Sequence, residues 1–184
     1  MKLVIVSDLH GQPKTLQYLD KILKREKPDG LIITGDITNR DDTSFLVELF
    51  VLFVKYELSA YLIWGNSDEA KAQIMIDSSA YSVNLKSRKA GDFNIYGISE
   101  TDQPVIPDPA QVSGSILLTH RPPRSGVLNA RLSNAPKYHI NGHIHSRAYI
   151  KKYPSTIHIQ VPTLQSGRYA IFYPKKESVK FLSI

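Results

Sequence analysis

Seven side chains bearing oxygen or imidazole donors stand in short turns along the chain: Asp8 and His10, Asp36, Asn66, His120, and His143 with His145. Asp-x-His and His-x-His each set two donors two residues apart, which in extended backbone puts them on one side. None of the donors is sulfur, because the sequence has no cysteine. That excludes thiolate zinc sites, iron–sulfur clusters, disulfides and cysteine nucleophiles. Seven donors exceed what one tetrahedral ion takes and suit two ions sharing a carboxylate. Mixed oxygen and nitrogen ligation fits Mn, Fe, Zn, Co or Ni rather than Ca or Mg, and Mn is the first expectation among them.

Charge decides what such a centre would bind. Two divalent ions outweigh the two carboxylates Asp8 and Asp36, so the centre stays positive and attracts a phosphate oxygen. The same field lowers the pKa of a bridging water toward ~7, and the resulting hydroxide can attack phosphorus in line. The whole chain agrees in sign: 23 Lys and Arg against 17 Asp and Glu leave a net charge of +6. That favours anionic partners without choosing among them.

Something rigid must hold these turns, and most of them follow an apolar run. Residues 3–6, 31–34 and 60–64 read as buried strands, and 12–27 and 43–57 as helices with apolar residues at helical spacing. Three strands separated by helices spell a β-α-β-α-β unit with a parallel sheet and right-handed crossovers. Asp41, Asp42 and Thr43 are candidate caps for the second helix. Further strands are expected at 81–85, 94–98, 115–119, 138–140, 148–152, 156–161, 169–173 and 178–182, as a mainly antiparallel second half on which the first sheet stacks. Alternation over 156–161 predicts one wetter face. The donor turns then lie at carboxyl ends of strands, where ligands of open α/β sheets gather.

The 184 residues fit one domain, 1–184, with a full hydrophobic core. Residues 102–114, with three prolines, read as an irregular surface connection. The apolar N-terminal run is too short for a signal segment, and residues 45–54 read as a core helix, so no membrane is expected. That helix is apolar on more than one face, which leaves both a monomer and a homodimer open. A cysteine-free chain suits the cytoplasm.

The ordered blocks D-x-H, G-D, G-N-S-D, a lone H, and G-H-x-H over residues 8–145 resemble the calcineurin-like metallophosphoesterase superfamily. The resemblance implies an α/β fold, a four-layer α/β/β/α sandwich of two packed mixed sheets flanked by helices. It implies that Asp8, His10 and His145 hold one ion, that Asn66, His120 and His143 hold the other, and that Asp36 bridges. Asp36, Asn66 and His120 would be the catalytic set, with Asn66 and Ser67 also meeting substrate. The implied activity is metal-dependent hydrolysis of a small or nucleotide-like phosphoester, a phosphodiester first. A non-catalytic scaffold resembling the retromer coat subunit, or a nuclease-type enzyme acting on nucleic acid, are the rival readings.

One position departs from the family pattern. Ser67 stands where the family usually has a histidine that protonates the leaving group or steadies the phosphate. A serine hydroxyl is a poor acid at neutral pH, and the missing acid is worth roughly 10²–10⁴ in rate. Similar small single-domain phosphodiesterases carry Cys at this point, so the change favours diesters or good leaving groups. Arg121 and Arg124, just after His120, are candidate phosphate clamps or solvated loop arginines, and Arg40 reads as surface. Asp68 is expected to orient a ligand or cap a helix. His139 and His158 read as satisfied structural histidines. Tyr149, Tyr153 and Tyr169 could stack bases, and Lys151-Lys152 and Lys175-Lys176 are too few for a nucleic-acid patch.

Overall fold

Strand alternation sorts the side chains into layers. A computed structural model describes residues 1–100, 109–122 and 135–184. In β1 (Leu3–Val6), Leu3 and Ile5 join the core between two sheets, while Val4 and Val6 join the core beneath the helices. Neighbouring residues of a strand point to opposite faces, so a run apolar at every position requires cover on both.

Five strands form the first sheet, in the order β11 (Ser178–Ser183), β10 (Arg168–Tyr173), β1, β2 (Gly30–Thr34), β3 (Ala60–Ile63). β1, β2 and β3 run parallel, and β10 and β11 complete the sheet antiparallel. The helices α1 (Pro13–Glu26), α2 (Thr43–Lys55) and α3 (Ala70–Ser78) cover its outer face. The second sheet runs β4 (Ser87–Ala90), β5 (Phe93–Ile98), β6 (Ile116–Thr119), β7 (Tyr138–Asn141), β9 (Ile157–Gln160), β8 (Tyr149–Lys152). Its four middle strands are parallel, with antiparallel strands at the edges. α4 (Pro109–Val112) brings Val112 against Tyr96 and Leu117 on its outer face. Leu3, Ile5, Ile32 and Ile63 meet Ile95, Ile116, Leu118, Ile140 and Ile159 between the sheets. Burying each such side chain is worth roughly 1.5–3 kcal/mol.

The fold is the expected pair of packed mixed sheets with helices, but four details differ. The second sheet is parallel through its middle and antiparallel only at its edges, and the last two strands of the chain cross over to finish the first sheet. Residues 81–85 make only isolated bridges, Leu62 to Ser82 and Asn84 to Gly97. There Ser82 and Asn84 turn their side chains onto Asp77, and Leu85 has φ +53°, which ends an extended run. α3 and β4 carry too weak a pattern to be read beforehand. Finally, the polar face of β9 is not wet: His158 and Gln160 are buried. No helix among the described residues is long and apolar enough to cross a membrane.

Caps follow the sequence more closely. Pro13 opens α1 at its first turn, where the missing N–H costs nothing. Asp42 accepts from the Phe45 amide at the start of α2. Asp41 instead reaches across to the Lys71 amide and so tethers α3.

Candidate metal centre

All seven donors lie at one rim, where the parallel strands of both sheets end. Ser7 to Gly11 follows β1, Gly35-Asp36 follows β2, Asn66 and Ser67 follow β3, His120 follows β6, and Gly142 to His145 follows β7. Asp8, His10, Asp36 and His145 each present a ligand atom within 4.8 Å of one another, and Asp36, His120 and His143 do the same. Asp36 belongs to both groups. Its Oδ2 lies 3.7 Å from His10 Nε2 in one group and 3.3 Å from His120 Nε2 in the other. Asn66 Oδ1 joins the second group, 3.1 Å from His120 Nε2.

The donors do not sit in extended chain, as the x-spaced pairs led us to expect. Asp8, His10, Asp36 and His143 have φ of +56°, +51°, +50° and +67°. Asp and His occupy this left-handed region more readily than most residues. The curled backbone sends Asp8 and His10 into the same group but divides the second pair, His143 going with His120 and His145 with Asp8. Two glycines permit the crowding. A methyl at Gly142 would run into Ser7 Oγ and Asp8, and one at Gly65 into Asp36.

The donor chemistry fits a pair of cations. Asp8 is fully buried; its Oδ2 accepts from the His143 amide at 3.2 Å, but no hydrogen bond reaches Oδ1. A buried carboxylate oxygen without a donor is costly unless a positive charge faces it. His145 Nε2 stands 3.2 Å from that oxygen and 3.3 Å from His10 Nε2. His120 donates Nδ1–H to the Thr34 carbonyl at 2.8 Å, which leaves Nε2 bare toward Asp36, Asn66 and His143 Nδ1. A backbone acceptor behind the ring is how a ligand histidine is fixed in tautomer and direction.

Protonation follows from the same contacts. Burial would raise the Asp36 pKa, but the facing His120 imidazole, the Ser67 amide and His10 outweigh it and hold the carboxyl down to about 2. Burial would lower His120, yet Asp36 and Asp8 raise it overall. His143 is lowered, by burial first and then by His120 and Arg121. In a metal-free centre these contacts favour the protonated form of His120, and a cation would compete with that proton.

The remaining candidates divide. Ser67 donates from its amide to Asp36 Oδ1 at 2.8 Å and from its hydroxyl to Oδ2 at 3.1 Å. Arg121 forms an ion pair with Glu100 at 2.8 Å, and Arg124 lies outside the described residues. Asp68 is buried and accepts from the Ile37, Thr38 and Gly65 amides, tying the turn after β2 to the turn after β3. Tyr169 is buried against Arg25 and Glu26 and offers no stacking face. His139 is buried as expected but only half satisfied, because its Nδ1 has no partner. Spacing gave no sign of Thr163, whose hydroxyl donates to the Asp8 carbonyl at 2.9 Å, nor of Asn141 and Gln160, which hold the Gly142 carbonyl.

The family model described as calcineurin-like phosphoesterase matches residues 1–147. No curated protein sequence matches the chain. Solved structures of similar fold include the protein TT1561 of Thermus thermophilus, at TM-score 0.75 and 11% identity, covering 99% of this chain and 98% of that one. A structure described as a novel archaeal phosphodiesterase has TM-score 0.67 and 16% identity, covering 100% of both chains. A dimetal phosphatase from Danio rerio has TM-score 0.61 and 10% identity, covering 100% of this chain and 98% of that one.

Proposed function

For a chain that belongs to the calcineurin-like phosphoesterase family, we propose hydrolysis of a small or nucleotide-like phosphodiester at a centre of two divalent transition-metal ions, manganese first among them. The observation that carries this reading is Asp36 shared between two donor groups, beside the buried Asp8 Oδ1, which accepts no hydrogen bond. Asp8, His10 and His145 would hold one ion, Asn66, His120 and His143 the other, with Asp36 between them. When bound, such ions supply Lewis acidity to a phosphoester oxygen and make a water acidic enough to attack phosphorus.

The chain's own residues set the rest of the chemistry. His120, fixed by Thr34, and Asp36, fixed by Ser67, keep their donor atoms aimed without reorganisation during the reaction. Asn66 is exposed, so its side chain is open to an incoming substrate. Ser67 spends its hydroxyl on Asp36, so it steadies the shared carboxylate and gives no proton to a departing alkoxide. Diesters with acidic leaving groups fit that arrangement; alkyl monoesters fit it poorly. An inert scaffold has no use for seven converging donors. The cysteine-free sequence supports a cytoplasmic address, and the exposed valines of α2 leave room for a second copy of the chain.

The test is turnover of an activated aryl phosphodiester by manganese-loaded protein. Asp36→Asn and His120→Ala should each lose at least about 10²-fold in kcat/KM, or roughly 2.7 kcal/mol of transition-state stabilisation. Wild-type turnover in either variant would defeat the assignment.

A further inference from the structure

The outward face of the second sheet carries a polar cluster where packing alone would call for apolar residues. The inward positions of β6, β7 and β9 are Ile116, Leu118, Tyr138, Ile140, Ile157 and Ile159. The outward ones include Thr119, His139, Asn141, His158 and Gln160, and the last four are buried. His139 and His158 stand opposite each other in register, with ring centroids 5.2 Å apart and planes 17° from parallel.

Each histidine begins a chain of hydrogen bonds that ends at a donor turn. The Thr119 hydroxyl has one hydrogen, and it goes to the Arg121 carbonyl at 2.7 Å. His139 must then donate Nε2–H to Thr119 Oγ1, at 2.8 Å. The other ring, His158, donates Nε2–H to Asn141 Oδ1. Asn141 in turn donates to the Gly142 carbonyl at 2.9 Å and to Gln160 Oε1 at 2.7 Å, and Gln160 Nε2 donates to that same Gly142 carbonyl at 2.7 Å. The Gly142 amide closes the circuit on the His120 carbonyl at 3.1 Å. The His139 chain therefore reaches the turn that carries His120, the His158 chain reaches the turn that carries His143 and His145, and neither reaches His10.

We propose that His139 and His158 are positioning residues that clamp the turn after β6 to the turn after β7, setting the separation of His120 and His143 and so the affinity of the second metal position. The inference rests on the two-ion reading above. The cost of the arrangement supports a role beyond packing: His139 Nδ1 is left without a partner in the interior, a penalty an apolar side chain would avoid. The pair also adds no charge beside a cation. Burial, and then His158, holds His139 down to about 3, while burial, and then Lys151, holds His158 down to about 4.

Calorimetric titration of metal-free protein with Mn²⁺ tests the proposal on wild type, His139→Phe and His139→Gln, with thermal unfolding of each metal-free protein alongside. Phe keeps the ring and loses the donor; Gln restores a donor of similar reach. His139→Phe should weaken one of the two ions by about 10–100-fold and leave the other unchanged, and His139→Gln should recover most of that loss. Should His139→Phe fail to fold, Thr119→Val interrupts the same chain and carries the same expectation. Two ions bound with wild-type affinities by the Phe or Val variant would overturn the proposal. So would an equal loss at both ions that Gln does not repair. A wild type that takes up fewer than two ions would instead sink the two-ion reading itself, a result visible before any variant is made.

Discussion

At the scale of single residues, backbone conformation decides the site as much as side-chain type. Four of the seven donors sit at positive φ, where Asp and His are tolerated and β-branched residues are not. Asp68 and Thr163, which bind no candidate ion, hold those curled turns from behind. The buried histidine pair gives a pH prediction with a definite sign. His139 and His158 both have folded pKa values below 6.5, about 3 and about 4. Above pH 6.5 neither form of the protein gains protons there, and their influence on stability is flat. Below it the unfolded chain takes protons that the folded rings refuse, so metal-free protein loses stability down to about pH 4 and then about pH 3. The slope is at most about 1.4 kcal/mol per pH unit for each histidine. His139→Gln should flatten the fall in unfolding temperature between pH 6.5 and 4.5. A variant whose temperature falls as steeply as wild type would show that His139 is not responsible.

At the scale of elements, α2 shows how periodicity and exposure separate. Phe45, Leu46, Leu49 and Phe53 are buried, whereas Val47, Val51 and Val54 on the same helix are 51%, 62% and 69% exposed. Composition alone makes the helix look buried all round, and only contact with β-strands on one side breaks the tie. Leu49→Ala should cost about 2–5 kcal/mol in urea unfolding, because it opens a cavity under the helix. Val51→Gln should change stability by less than about 0.5 kcal/mol. Equal costs at the two positions would mean that the valine face is covered in solution. The strands behave likewise: the alternation in β9 was legible, but polar residues on its outer face pointed to water, and a hydrogen-bonded network occupies it instead.

At the scale of the molecule, two sheets end at one rim, and the donors of both converge there. Ions bound by the folded state alone stabilise it in proportion to their concentration. Manganese at about 100 times its dissociation constant should therefore add about 2.7 kcal/mol for each ion bound and raise the unfolding temperature, and a chelator should remove both that gain and the activity. An unfolding temperature indifferent to manganese and chelator would contradict a metal centre. The local chemistry was readable from residue types and their order: a sulfur-free donor set, and buried β-runs ahead of most donor turns. These are properties of short segments, and short segments carry them unaided. The parting of His143 from His145 and the sharing of Asp36 followed from family resemblance, not from the residues themselves, and the crossing of β10 and β11 into the first sheet was not readable at all. Each depends on contacts between residues far apart in the chain, such as Asp8 with His143 or β1 with β10, whose energies exist only once the two sheets have closed on each other.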